Sequence, residues 1–233
     1  MQSIHVEYFT DMLCIWAYSA QVRLDHLKKS FPRQVKLTYR FTPIFAAVHE
    51  RIESGWQEKG GFEAYNAHQL ETAKGWDHVD LHPGIWLDTV PTTSLVSHLF
   101  LKAAQLLEQE GHPAFTAQSP VAGHSIFESL MWRVRCAFFE HCRDISDISV
   151  LCAITDEMDL PTADIVDRID HGQAHAALHV DSEVRSKYMV SGSPTYVFNE
   201  GRQRLYGNVG YRIIHANIEE LLRHPDSGEA SWC

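Results

Sequence analysis

Asp11-Met12-Leu13-Cys14-Ile15-Trp16-Ala17-Tyr18 lies where a strand pattern gives way to a helix pattern. Residues 4–10 alternate as in a strand, whereas residues 14–29 have the apolar spacing of a helix. Cys14 is therefore expected at a strand-to-helix junction, where free backbone N–H groups and the helix dipole favour a thiolate. We predict a lowered pKa for Cys14, with the thiol partly or largely ionised at neutral pH. The alternative is a small buried apolar residue at a helix start.

A second stretch, Val190-Ser191-Gly192-Ser193-Pro194-Thr195, lies near the end of the chain. A proline just ahead of a strand is either an ordinary loop residue or a cis-proline. The residues that follow predict a strand at 195–199, a hairpin partner at 204–206 and a helix at 213–223.

The residues between these two stretches predict one more strand and a block of helices. Residues 35–41 alternate as a strand, which should pair in parallel with the first strand because a helix of crossover length separates them. Residues 44–91 combine many glycines with unusual aromatic density, which is more typical of a covering loop than of a domain. Helical patterns follow over residues 92–109, 125–142, 150–158, 162–170 and 172–188.

Together these stretches resemble the DsbA-type branch of the thioredoxin superfamily, close to the FrnE-like oxidoreductases. The resemblance rests on the Cys-x-Trp helix start at Cys14, on Arg143-Asp144-Ile145-Ser146-Asp147 and on Gly192-Ser193-Pro194-Thr195, and it extends over nearly all of residues 4–223. It implies an α/β thioredoxin fold with a large helical insertion. The expected units are a thioredoxin-fold domain from 1–45 and 189–225, a covering loop segment at 46–91, a helical insertion domain at 92–188 and a loose tail at 226–233.

The motif at Cys14 departs from the pattern of the family it resembles. That family usually has Cys-Pro-Trp-Cys, whereas this chain has Cys14-Ile15-Trp16-Ala17. With Ala17 in the place of the second cysteine, the motif cannot form an internal disulfide. The resemblance therefore implies a single activated thiol that faces a cis-proline loop at Pro194.

The resemblance also assigns expected roles to the residues of both stretches. Cys14 is the expected catalytic residue. The expected substrate-binding residues are Trp16, Ser193, Pro194 and Thr195. Supporting positions are Ala17 and Asp11, of which Asp11 either supports the loop by capping or accepts a proton near the thiol.

Three functions are compatible with these residues. The first is a thiol-disulfide oxidoreductase that works through Cys14 alone, with glutathione or a second substrate thiol releasing the mixed disulfide. The second comes from the kappa-class glutathione transferases and hydroxychromene-carboxylate isomerases, which the chain also resembles. Those enzymes use a serine at the position of Cys14 to orient a glutathione thiolate, and the aromatic-rich segment 56–86 would then be the acceptor site. The third is a non-catalytic thioredoxin-fold binding module.

Composition bounds the partners and the compartment. The net charge of −10 argues against a nucleic-acid-binding face. The sequence contains no apolar stretch of about 18 residues, so no membrane span is predicted. No secretory signal is visible, so we expect a cytoplasmic protein. Its partners are expected to be a small thiol or a cysteine-containing protein or peptide, with a homodimer as the candidate assembly. Glutathione is the candidate cosubstrate, and no tightly bound cofactor is expected.

The cysteines and histidines do not predict a metal site. Five cysteines without Cys-x-x-Cys spacing disfavour a disulfide framework and a zinc ribbon. His171, His175 and His179 recur at four-residue spacing, which could place them on one helix face, but a solvated face is the expected interpretation. We therefore predict no metal.

Overall fold

The computed structural model of the protein describes residues 3–119 and 123–224. Within these ranges the strands form a four-stranded sheet in the order β2-β1-β3-β4. The strands are β1 (Ile4–Thr10), β2 (Val35–Phe41), β3 (Thr195–Phe198) and β4 (Gln203–Tyr206). β1 and β2 are parallel, and β3 is antiparallel to both of its neighbours. The predicted parallel pair and the predicted hairpin are confirmed, while the predicted tail at 226–233 lies outside the described residues.

The helix expected over residues 14–29 is divided into two. α1 (Ile15–Ser19) begins directly after Cys14, and α2 (Gln21–Ser30) continues the chain after Ala20. Burial of Leu24 and Leu27 attaches α2 to the core. Because of this break, α1 is only five residues long and contains the residues that directly follow Cys14.

The segment 46–91 is largely helical, so the prediction of a covering loop is wrong over much of its length. It contains α3 (Val48–Trp56) and α4 (Gly61–Ala73), joined by a short 3-10 turn at Gln57–Lys59. Gly60, with a φ of 111°, makes the left-handed turn that lets the chain start the second helix. The glycines therefore separate two helices where the sequence pattern suggested a continuous loop.

Six further helices follow α4 in the chain and precede β3, and together they form the helical block. They are α5 (Leu95–Gln109), α6 (Pro113–Thr116), α7 (Ile126–Phe139), α8 (Ile148–Glu157), α9 (Thr162–Asp170) and α10 (Gln173–Lys187). α5 is central, because it packs against α7, α9 and α10. α7 begins with a capping box in which the Ser125 hydroxyl and the Glu128 carboxylate each accept a backbone N–H hydrogen bond of the other residue. The predicted helices are confirmed, although α7 ends at Phe139 and not at Cys142.

The last helix and the core complete the fold. α11 (Tyr211–Arg223) packs against α2 and β1. Buried apolar side chains of the sheet, of α5 and of α7 belong to a continuous core, which includes Tyr8, Phe41, Phe100 and Phe138. No helix in the described part of the chain is long and apolar enough to span a membrane.

Candidate active site

The structure brings the two stretches singled out in the sequence into direct contact. Cys14 is the N-cap of α1, where its carbonyl oxygen accepts hydrogen bonds from the N–H groups of Ala17 and Tyr18 at 3.0 Å each. Its Sγ donates a hydrogen bond to the carbonyl oxygen of Ser193 at 3.3 Å. Cys14 is only 3% exposed. The expected strand-to-helix junction is confirmed, with the thiol turned toward the proline loop.

Hydrogen bonds fix the proline loop on both sides. The peptide bond between Ser193 and Pro194 is cis. The Ser193 hydroxyl accepts a hydrogen bond from the N–H of Asp11 at 2.9 Å, and the Thr195 hydroxyl donates to the carbonyl oxygen of Gly192 at 2.7 Å. The side chains of Ser193 and Thr195 are therefore used to hold the loop, which leaves the backbone of Ser193 beside the thiol.

Asp11 organises the chain on the other side of Cys14. Its carboxylate is fully buried and accepts hydrogen bonds from the N–H of Leu13 at 2.8 Å, the N–H of Phe45 at 3.0 Å and the hydroxyl of Ser94 at 2.9 Å. Both oxygens are thus occupied by loop and helix-start donors. This geometry favours loop support over the alternative role as a proton acceptor for Cys14.

His98 is a buried neutral histidine next to this loop. Its Nε2 accepts a hydrogen bond from the N–H of Met12 at 3.1 Å and lies 3.7 Å from Asp11 Oδ1. Burial lowers the pKa of His98 to about 4, although the carboxylate of Asp11 acts in the opposite direction. At neutral pH His98 therefore carries no charge to balance Asp11.

The electrostatic environment of Cys14 differs from the expectation. Burial raises the pKa of the Cys14 thiol, and the charge of Asp11 raises it further. The side chain of Ser193, the backbone N–H of Ala17 and the charge of Arg135 lower it, but burial is the largest effect. The prediction of a lowered pKa and an ionised thiol is wrong for this geometry. The N–H of Ala17 at the start of α1 acts to lower the pKa of the thiol, but the effect of burial is larger.

Trp16 and Ala17 follow Cys14 on the first turn of α1. Trp16 is 37% exposed, and its ring meets the edge of Trp76 with centroids 5.5 Å apart. Ala17 is buried. The motif thus presents an apolar surface at Trp16 next to a covered thiol, and the position of the absent second cysteine lies in the protein interior.

Two of the five aromatic residues of segment 56–86, Tyr65 and Trp86, are buried in the core, and the other three are partly buried against it. Trp86 is fully buried and contacts Phe45, Tyr65 and Phe138 at centroid distances of 5.5, 5.3 and 4.9 Å. These contacts favour packing over an apolar acceptor site for Trp86 and Tyr65. Trp76 is the aromatic residue of this segment that contacts the motif, through Trp16.

His171, His175 and His179 are exposed, as expected for a solvated face, but they do not lie on one helix. His171 follows α9 and lies 3.1 Å from Asp167, whereas His175 and His179 belong to α10. Across residues 3–119 and 123–224, no group of three or more His, Cys, Asp and Glu side chains is arranged to hold a metal ion.

Known structures share this fold, although neither a protein-family model nor a curated protein matches the chain. A probable DsbA oxidoreductase from Streptomyces coelicolor superposes with a TM-score of 0.70 and 15% identity, over 99% of this chain and 94% of that one. The cytosolic disulfide reductase DsbM from Pseudomonas aeruginosa, solved with glutathione, superposes with a TM-score of 0.64 and 17% identity, over 94% of this chain and 99% of that one. This chain has the DsbA-type thioredoxin fold. A 2-hydroxychromene-2-carboxylate isomerase also matches, with a TM-score of 0.58 and 11% identity over 97% and 100% of the two chains.

Within the DsbA-type fold, three buried polar residues around Cys14 were missed from the sequence. Ser94 and His98, at the start of α5, form hydrogen bonds with Asp11 and Met12 in the loop before Cys14. Arg135 of α7 donates a hydrogen bond to Thr10 at the end of β1. A signal for Arg135 exists in hindsight. α7 has apolar residues on most of its surface and is largely buried, so a charge on it can be buried too, as Arg135 is, whereas Arg133 lies on its exposed side.

Proposed function

We propose that this protein is a thiol-disulfide oxidoreductase that acts through the single thiol of Cys14. The observation that carries the proposal is the contact of Cys14 Sγ with the Ser193 carbonyl oxygen at 3.3 Å, at the start of α1 and beside the cis Pro194. Neighbours with the same fold include a cytosolic disulfide reductase and a probable DsbA oxidoreductase, which supports a redox role.

The chemistry needs one thiol from the protein and one from elsewhere. Loss of the proton from Cys14 leaves an electron pair on Sγ, which attacks one sulfur of a substrate disulfide. The S–S bond breaks, a mixed disulfide with Cys14 forms, and the leaving thiolate takes up a proton. Because Ala17 supplies no resolving thiol, a glutathione thiolate or a second substrate thiolate then attacks the mixed disulfide. This step releases Cys14 and joins the incoming sulfur to the substrate sulfur.

The proline loop would hold the substrate by its backbone. In the free protein the Ser193 carbonyl oxygen accepts the thiol hydrogen of Cys14. In the mixed disulfide Sγ has no hydrogen, so this carbonyl becomes available to accept an N–H from an extended substrate. Pro194 and Thr195 would position that carbonyl, and the exposed ring of Trp16 would cover the apolar part of the substrate.

The buried thiol has a kinetic consequence. Because burial raises the pKa of Cys14, the thiolate fraction at neutral pH is smaller than that of an ordinary cysteine. The rate of exchange should therefore rise with pH beyond the usual thiol midpoint of about 8.5. Substrate binding that displaces the hydrogen bond to Ser193 would begin the reaction.

The decisive experiment measures the alkylation of Cys14 as a function of pH, with and without glutathione, by mass spectrometry of the Cys14 peptide. We expect a midpoint above about 8.5 and slower alkylation when glutathione is bound. Glutathione-coupled reduction of a small disulfide should be lost in Cys14→Ser and retained in Cys136→Ser, a matched control because Cys136 is also buried with a raised pKa. Full exchange activity in Cys14→Ser would refute the proposal.

A glutathione transferase or isomerase is the second candidate, and one observation favours it. The neutral Cys14 thiol is a hydrogen-bond donor, as is the serine of the kappa-class enzymes that the chain resembles. Conjugation of glutathione to an electrophile should then survive in Cys14→Ser and fail in Cys14→Ala, because the serine hydroxyl still donates. Disulfide exchange, by contrast, should fail in both variants because it needs the sulfur. If wild-type protein has neither activity but binds peptides, the non-catalytic binding module is the correct function.

The oxidoreductase function implies partners and a compartment. The substrates would be a small thiol such as glutathione or a cysteine-containing protein or peptide, and a reducing cytoplasm would keep Cys14 reduced. The neighbour DsbM is a cytosolic disulfide reductase, which is consistent with this assignment. The homodimer stays a prediction, which sedimentation of the purified protein would test.

A further inference from the structure

Arg135 is a buried cation for which residues 3–119 and 123–224 provide no carboxylate partner. Its side chain extends from α7, and the residue is 1% exposed. Nη2 donates a hydrogen bond to the Thr10 hydroxyl at 2.5 Å, whereas Nε and Nη1 contact no acceptor within residues 3–119 and 123–224. None of the ion pairs in these ranges includes Arg135.

An unpaired buried charge is unfavourable for folding, so its position calls for an explanation. Moving a guanidinium from water into the protein interior costs several kcal/mol unless hydrogen bonds or an opposite charge offset it. The hydrogen bond of Arg135 goes to Thr10, which is the last residue of β1 and lies four positions before Cys14. The cation is therefore attached to the strand end from which the Cys14 loop starts.

The charges that act on Cys14 come from several elements. Asp11 of the same loop raises the pKa of the thiol, and Arg135 of α7 lowers it. Tyr8 of β1 and Tyr65 of α4 also face Cys14, and burial raises the pKa of each above the usual value, so both phenols are neutral at physiological pH. Arg135 is therefore the cation in this set, and it opposes both the burial of the thiol and the anion of Asp11.

We propose that Arg135 supplies the positive charge that stabilises the anion on Cys14 Sγ when the thiol loses its proton for disulfide exchange. This inference rests on the proposed function of Cys14. The S–H bond breaks, the proton passes to solvent, and the electron pair remains on Sγ in the field of the guanidinium. Arg135 touches no substrate and acts on Cys14 through its charge, so it is a positioning residue.

The missing carboxylate partner is consistent with this role. A carboxylate beside Arg135 would cancel its field at Cys14, whereas a neutral threonine hydroxyl orients the guanidinium and leaves its charge intact. The same charge also acts on His98, where it helps to lower the pKa and keep the ring neutral. Since charges interact more strongly in a buried site than in water, one unpaired cation at this depth can shift the thiol equilibrium measurably.

The test compares three substitutions in the full chain by the pH profile of Cys14 alkylation, read from the Cys14 peptide by mass spectrometry. Arg135→Met removes the charge and the hydrogen bond, Arg135→Gln removes the charge but keeps an amide that reaches for Thr10, and Arg135→Lys keeps the charge. We expect the alkylation midpoint to rise in Arg135→Met and Arg135→Gln, with a severalfold lower rate at a fixed pH below the midpoint. The Lys variant should stay close to wild type.

Each outcome either supports or overturns the inference. A wild-type pH profile in a folded neutral variant overturns it. A shift in Arg135→Lys as large as that in Arg135→Gln also overturns it, because the charge would then not be the cause. Arg135→Gln serves as the second neutral variant if Arg135→Met does not fold. Near-ultraviolet circular dichroism checks the packing of each variant. The proposed function fails separately, when Cys14→Ser retains exchange. If exchange activity requires Cys14 but the alkylation midpoint is unchanged in the Arg135 variants, only the role of Arg135 is refuted.

Discussion

Two groups of charged and titratable side chains in the described part of the chain are organised in opposite ways. The paired network consists of Glu7, Arg40, Lys102 and Asp181. In it, Arg40 contacts Glu7 at 2.7 Å and Asp181 at 3.1 Å, and Lys102 contacts Asp181 at 2.5 Å. The unpaired group consists of Asp11, His98 and Arg135, in which the anion is bound by neutral donors and the cation by one hydroxyl.

The two groups differ in the parts of the fold that they connect. The paired network links β1 and β2 to α5 and α10, and Asp181 also accepts the N–H of Phe41 at 2.9 Å. It therefore attaches the helical block to the edge of the sheet. The unpaired group surrounds the Cys14 loop, where its charges remain free to act on a third group. The paired charges hold elements together, whereas the unpaired ones surround Cys14, where the proposed exchange reaction would form a charge.

Breaking the paired network should have the largest effect on stability. Asp181→Asn removes the charge that Arg40 and Lys102 share and places an amide N–H₂ against their donors. We expect a loss of about 3 kcal/mol or more in the free energy of unfolding, measured by urea denaturation. Glu183→Gln, on the same helix but with a side chain that is 66% exposed, should change it by less than about 0.5 kcal/mol. Similar losses in the two variants would show that the network is not what fixes α10.

The neutral histidine of the unpaired group should make the protein sensitive to acid. The pKa of His98 is lowered from 6.5 to about 4 in the folded state. Between these values the unfolded chain binds a proton that the folded protein does not, so stability is present above pH 6.5 and is lost as the pH falls toward 4. The loss attributable to His98 is about 3 kcal/mol. His98→Gln, whose carbonyl can still accept the N–H of Met12, should show a correspondingly shallower loss between pH 7 and 4.5. Equal slopes in wild type and variant would refute the assignment.

Removing a cation from each group should give the smallest effect and the clearest contrast between them. Arg135→Met eliminates an unpaired buried charge, so we expect unchanged stability or a gain of about 1 kcal/mol. Arg40→Met leaves the Glu7 carboxylate without its cation and should destabilise by about 2 kcal/mol. Urea denaturation of the two variants at neutral pH measures the difference directly. A greater loss in Arg135→Met than in Arg40→Met would mean that Arg135 has a structural role that its contacts do not show.

Local sequence patterns were sufficient for the elements but not for their interruptions. The alternation in residues 35–41 predicted β2, and the apolar spacing over 125–142 predicted α7 apart from its last residues. Segment 46–91 was misassigned because its glycines and aromatic residues indicate both loops and short helices with a turn at Gly60. Only packing distinguishes these cases, since Trp86 and its neighbours are ordered by contacts with α7.

The sequence by itself determined the strand-to-helix position of Cys14, the absence of a second thiol at Ala17 and the proline ahead of β3, because each depends on residues adjacent in the chain. Tertiary structure alone decided the contact of Cys14 with Ser193, the burial that raises the pKa of the thiol, and the positions of Asp11, His98 and Arg135 around it. The physical reason is that electrostatic free energies depend on depth and on charges from distant segments. Residue spacing within one stretch contains no information on either.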